Sequence, residues 1–207
     1  CQNKNAPGIS VAVVQAGQVL YSKHLGMANI SAGIPIDSTT TFWIASVSKQ
    51  FTAAAVYYLV VSGKVRPDQS IRKYLPELPP IFSNVTVSRL LHHTSGIRDG
   101  FVLTALSKKP PSEYTYQNVL YYLGASQAVN FKRVSRYEYK NSGYVLLATL
   151  VERVANMSFD QFMKTTLFGP LKMNSTYISA SFPTNERQAE GYQQTAFSLR
   201  FCFISVV

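Results

Sequence analysis

Ile44-Ala45-Ser46-Val47-Ser48-Lys49-Gln50-Phe51-Thr52-Ala53-Ala54-Ala55-Val56-Tyr57-Tyr58-Leu59-Val60-Val61-Ser62-Gly63 is the stretch on which the reading of this chain turns. Ser46 to Ser62 reads as a helix, and Gly63 ends it, because glycine takes the left-handed conformation that closes a helix at no steric cost. Its interior, Phe51 to Val61, is apolar almost all round, which predicts a helix buried on most of its faces. At eleven residues this run is too short to span a bilayer.

Ser46-Val47-Ser48-Lys49 opens that helix as an S-x-x-K tetrapeptide. Positions i and i+3 share a helix face, so the Ser46 hydroxyl and the Lys49 ammonium can meet. A serine hydroxyl is a poor nucleophile until a base takes its proton. A lysine serves as that base when burial lowers its pKa, and the apolar helix predicts such burial. The amino end of a helix also favours developing negative charge through its dipole and N–H groups. A plain N-cap serine looks the same in sequence, so the tetrapeptide decides nothing alone. Ser70-Ile71-Arg72-Lys73 repeats it, but sits just before Pro76 with no long apolar helix behind it.

A second element is Tyr139-Lys140-Asn141, ahead of the apolar helix expected over Ser142 to Asn156. Tyr139 is expected on a turn, with its hydroxyl free to reach a cleft. A phenol beside an ammonium can relay protons, and Asn141 can donate to a substrate carbonyl while accepting from a lysine. The look-alike Tyr116-Gln117-Asn118 falls inside a helix expected over Ser112 to Leu123. His93, in His93-Thr94-Ser95-Gly96, fits either a catalytic base or a helix-end packing role, and the second is favoured.

Around these elements the chain reads as a hairpin followed by helices. Ile9 to Val14 and Gln18 to Lys23 are β-like runs flanking Ala16-Gly17. Pro35 to Thr41 is turn-rich, and Pro67 to Pro80 is a proline-punctuated loop with one helical turn. Thr86 to His93 is a short helix capped by Thr86 or Asn84, and Ser158 to Leu167 is another, stopped by Gly169-Pro170. The fold class expected is α+β. Hydrophobic residues make up 46% of the 207 and charged residues 14%, a globular composition that excludes a disordered chain.

The formal charge of +10 raises nucleic acid as a partner. The cations are scattered, with one modest cluster at Lys132, Arg133, Arg136 and Lys140, so no nucleic-acid role is expected. Cys1 and Cys202 form no disulfide framework. His92 and His93 are adjacent and diverge, no H-E-x-x-H helix exists, and no metal site is expected.

Taken in order, the motifs resemble the class C β-lactamase-like branch of the penicillin-binding-protein and serine β-lactamase superfamily. Pro7 to Val13 resembles the first strand of that family, Ile44 to Lys49 its nucleophile motif, and Leu90 to Ile97 its helix-end signature. Tyr137 to Tyr144 is similar to its Tyr-x-Asn motif, and Phe168 to Met173 to a common later stretch. The resemblance covers about residues 6 to 194; 195 to 207 form an atypical apolar tail. It implies a β-lactamase/transpeptidase-like fold: an N-terminal hairpin of an antiparallel sheet, a helical region, and C-terminal strands missing. It implies acyl transfer by Ser46, with Lys49 and Tyr139 sharing the acid–base work and Asn141 binding substrate.

No cofactor and no metal are implied. The substrate classes implied are β-lactams, D-alanyl peptides or small esters, in an extracytoplasmic setting. The family's third motif is a Lys- or His-x-Gly on a late strand that supplies an oxyanion N–H, and this sequence holds none that could serve. One incomplete domain, cut at Cys1 and truncated or frame-shifted at its end, is therefore expected, with low activity and a tendency to associate. A noncatalytic ligand-binding relative, holding an anion with Lys132, Arg133, Arg136 and Lys140, stays open.

Overall fold

The computed structural model describes residues 6–108, 115–131, 136–178, 187–194 and 199–201. Two compact units partition the chain: Cys1–Ala45 with Met173–Val206, and Ser46–Lys172 with Val207.

In the first unit, β1 (Ile9–Gln15) and β2 (Gln18–Leu25) form the expected antiparallel hairpin, from Ile9 opposite Leu25 to Gln15 opposite Gln18. Ala16 (φ 48°) and Gly17 (φ 77°) are both left-handed, the pair of conformations that a two-residue turn matching the strand twist demands. β3 (Met27–Asn29) pairs with β4 (Ile34–Pro35), a short ribbon the sequence did not announce because its turn lacks a strong hairpin signal. β5 (Tyr192–Gln194) pairs antiparallel with β6 (Leu199–Phe201). Of residues 195–207, only Leu199–Phe201 are described, as β6. Asn29 donates to the Glu190 carboxylate at 2.7 Å, and the Ile30 N–H donates to the Tyr192 hydroxyl at 2.8 Å. These bonds tie segments about 160 residues apart in sequence.

The second unit is helical. Its centre is α5 (Asn141–Ala155), which packs against α1 (Lys49–Val61), α2 (Val87–Leu91), α3 (Gly100–Leu106), α4 (Tyr116–Gly124) and α6 (Phe159–Met163). Val145, Leu146, Leu147, Leu150 and Val151 of α5 are buried, facing a core that includes Val56, Leu59, Leu90, Val119, Leu123 and Met163. Asn156 closes α5 in the left-handed conformation that caps helices, and Lys164–Phe168 continue α6 as a π-turn before Gly169.

Three expectations need correcting. α1 is not buried on most faces: Lys49, Thr52, Ala55, Val56 and Leu59 make one buried stripe, while Tyr57, Tyr58 and Val61 are exposed. Uniform apolarity reports no preferred face, and here one face alone meets α5. Ser46 precedes α1, in a 3-10 turn spanning Ala45–Ser48. The helix expected from Ser112 begins at Tyr116, capped by Thr115, whose hydroxyl accepts from the Asn118 N–H; residues 112–114 lie outside the described residues. α3 went unrecognised, since a seven-residue helix opening on glycine has little intrinsic propensity.

Candidate active site

The stripe that buries α1 against α5 begins at Lys49, the first residue of α1. The same packing therefore carries the Lys49 ammonium to Asn141, the first residue of α5. Lys49 Nζ donates to Asn141 Oδ1 at 2.9 Å and to Ser46 Oγ at 3.1 Å. Tyr139 Oη donates to Ser46 Oγ at 2.7 Å from 93 residues away in sequence. Lys49 and Tyr139 thus meet at the Ser46 hydroxyl, and Asn141 joins them through Lys49, within one compact unit.

The ammonium is almost enclosed, with Lys49 only 7% exposed. Its Nζ stands 5.1 Å from the Tyr139 ring centroid and 5.7 Å from that of Tyr144, distances at which ring faces attract a cation. Two oxygen acceptors and two rings replace the water that burial removes. Ala45, directly before Ser46, has φ 46°. A non-glycine residue in the left-handed region stores about 1–2 kcal/mol, a strain that clusters at functional sites.

The second S-x-x-K is occupied structurally. Ser70 caps a 3-10 turn: its Oγ accepts from the Arg72 N–H at 3.3 Å and donates to the Phe82 carbonyl at 3.3 Å. Tyr116-Gln117-Asn118 lies in the first turn of α4, as expected.

Two supporting residues, Asp99 and Ser142, escaped the motif reading. Asp99 is 9% exposed and serves two helix starts at once. Its Oδ1 accepts from Phe101 N–H (3.0 Å) and Val102 N–H (3.4 Å) of α3, and its Oδ2 from Asn141 N–H (3.0 Å) of α5. Ser142 returns the arrangement, its buried Oγ accepting from Gly100 N–H at 2.6 Å. The sequence signal was confined to Asp99, a residue type favoured at N-caps. His93 packs at the end of α2, as favoured, and its ring lies 4.5 Å from that of Tyr139. Its pKa is held below 6.5 by burial first and by the Lys49 charge second, so the imidazole is neutral at neutral pH.

Of the expected cation cluster, Lys132 and Arg133 lie outside the described residues. Lys140 and Arg136 both pair with Glu138, at 2.5 and 3.5 Å, and that carboxyl is held below its usual range first by its hydrogen bond to Lys140. Among the described residues no group of three or more His, Cys, Asp or Glu side chains is placed to hold a metal, and no helix is long and apolar enough to cross a membrane.

An α+β frame with a lysine and a tyrosine converging on one serine is the pattern of the serine β-lactamase and penicillin-binding-protein superfamily. Residues 2–202 match the family model described as Beta-lactamase, and the chain belongs to that family. It is 33% identical to a β-lactamase of Providencia stuartii over 198 residues, 93% of this chain and 48% of the relative. It is 32% identical to penicillin-binding protein 4* of Bacillus subtilis (strain 168) over 172 residues, 82% of this chain and 37% of the relative. A solved class C β-lactamase superposes with a TM-score of 0.77 at 27% identity, covering 99% of this chain and 54% of that one. The chain spans less than half the length of these two curated relatives.

Proposed function

We propose that the protein is a serine hydrolase working by acyl transfer, with Ser46 as nucleophile. The observation that supports this best is the convergence of Lys49 Nζ (3.1 Å) and Tyr139 Oη (2.7 Å) on Ser46 Oγ. In this reading the Lys49–Tyr139 pair reacts in the form that lacks one proton, so that as Ser46 Oγ attacks a carbonyl carbon its proton passes to the vacant site on the pair. The pair returns the proton to the leaving group. Water then attacks the acyl-enzyme and regenerates the serine. Asn141 has its Oδ1 on Lys49, which leaves its amide N–H₂ to donate to the substrate carbonyl side chain. The substrate classes proposed are β-lactams, D-alanyl peptides and small esters, and the setting proposed is extracytoplasmic, both from family resemblance.

The test is covalent labelling with a fluorescent penicillin and with a fluorophosphonate, followed by peptide mapping. Label is expected on Ser46, lost in Ser46→Ala and kept in Ser70→Ala. Equal labelling of Ser46→Ala, or label on Ser70, overturns the assignment.

A further inference from the structure

Tyr139 belongs to a stretch, residues 136–140, that is neither helix nor strand. No ladder or helix bond fixes its ring, yet its hydroxyl stands 2.7 Å from Ser46 Oγ. Two backbone N–H groups of this stretch bond to a single residue. The Glu138 N–H donates to the His93 carbonyl at 2.9 Å, and the Lys140 N–H donates to His93 Nδ1 at 3.2 Å. The residues on either side of Tyr139 thus both donate a backbone N–H to His93. The His93 ring also lies 4.5 Å from the Tyr139 ring and 5.3 Å from the Tyr144 ring, at tilts of 35° and 32°.

The backbone at His93 makes this choice of residue informative. After the C-cap His92, the His93 N–H bonds to the Leu90 carbonyl and the Thr94 N–H to the Arg89 carbonyl. That pair of bonds is the Schellman closure of a helix, and His93 holds its left-handed position at φ 56°. Glycine is the usual occupant, because any side chain there costs about 1 kcal/mol of backbone strain. A side chain kept at that position has a use for which the helix end itself has no need.

We propose that His93 is a positioning residue for Tyr139, clamping residues 137–141 through its Nδ1 acceptor and its stacked ring while its proton sits on Nε2. The inference rests on the reading of Tyr139 as a proton carrier. An N–H donated to Nδ1 requires the neutral Nε2–H tautomer. The groups facing the imidazole agree with that state. Lys49 on α1 and His92 on α2 oppose a positive charge, Tyr137, Tyr139 and Tyr144 surround the ring, and Lys140 and Glu138 belong to the clamped stretch. Protonation would turn Nδ1 into a donor facing the Lys140 N–H and release the clamp.

The test uses the full chain and the rate of fluorophosphonate labelling at Ser46, resolved into its binding and inactivation steps. Tyr139→Phe, His93→Gly and His93→Asn are compared. His93→Gly suits the helix end and removes only the clamp. It is expected to slow the inactivation step about 10- to 100-fold, the effect of one hydrogen bond to a partner left unpaired, with the binding step unchanged. Asparagine tolerates the left-handed conformation and offers an oxygen near the Nδ1 position, so His93→Asn is expected to recover most of the rate. It should also lose the decline expected of the wild type as pH falls through the lowered pKa of His93. Nitrogen-15 NMR of the wild-type imidazole is expected to show the Nε2–H tautomer at neutral pH. Wild-type labelling by His93→Gly alongside slow labelling by Tyr139→Phe overturns the inference and leaves the Tyr139 reading standing. Wild-type labelling by Tyr139→Phe overturns that reading and the inference with it. An Nδ1–H tautomer overturns the inference however the variants fold.

Discussion

Removing the Asp99 carboxylate is expected to loosen two helices together, which makes it the sharpest probe of how this site is built. Asp99→Ala deletes the N-cap of α3, worth about 1 kcal/mol. It strands the Asn141 N–H, now bonded at 3.0 Å in a nearly buried place, at about 1–3 kcal/mol. It also removes a negative charge from the positive ends of α3 and α5, worth about 0.3–1 kcal/mol each. The expected loss is about 2–5 kcal/mol, since these contributions overlap rather than add. For a chain of this size, that lowers Tm by about 5–15 °C. Asp99→Asn separates the parts. Its amide oxygen can still cap α3, while its N–H₂ confronts the Asn141 N–H, so about 1–3 kcal/mol should be lost. Urea and thermal unfolding followed by circular dichroism measure both variants, and Ser46 labelling should slow in Asp99→Asn because Asn141 anchors Lys49. If Asp99→Asn unfolds at the wild-type midpoint and labels at the wild-type rate, the double-capping argument is wrong.

Two further outcomes are expected. Gly96 has φ 70°, and a Cβ there would collide with the Phe131 carbonyl oxygen; Gly96→Ala should therefore cost about 2–4 kcal/mol in denaturant unfolding, from left-handed strain and overpacking together. Burial and Lys49 depress the folded pKa of His93 below 6.5, so just under that value the unfolded chain binds more protons than the folded one. This contribution to stability is full above about pH 6.5 and is lost as pH falls through the folded pKa. A series of urea midpoints from about pH 8 to about pH 5 should fall at the acid end, and less so in His93→Asn.

Much of the chemistry was legible from local pattern. A three-residue spacing brings Ser46 and Lys49 to one side of a helical turn, here the 3-10 turn that leads into α1, and Ala16-Gly17 selects a hairpin turn because two left-handed residues match strand twist. The difference between Ser46 and Ser70 was also local: an apolar helix follows one, a proline the other. Periodicity failed where apolarity was uniform, in α1, since a sequence with no polar face does not say which face its neighbour will cover. It failed again at α3, whose first N–H, that of Gly100, bonds to the Ser142 hydroxyl 42 residues away. The joining of Tyr139 to Ser46 was likewise beyond the sequence as geometry. It follows from packing α1 on α5, which brings two helix starts together, and from His93 and Asp99 holding the chain between and beside them. Side-chain type and spacing decide what a residue can do; only tertiary contacts decide what it stands next to, because those contacts come from segments with no local pattern in common.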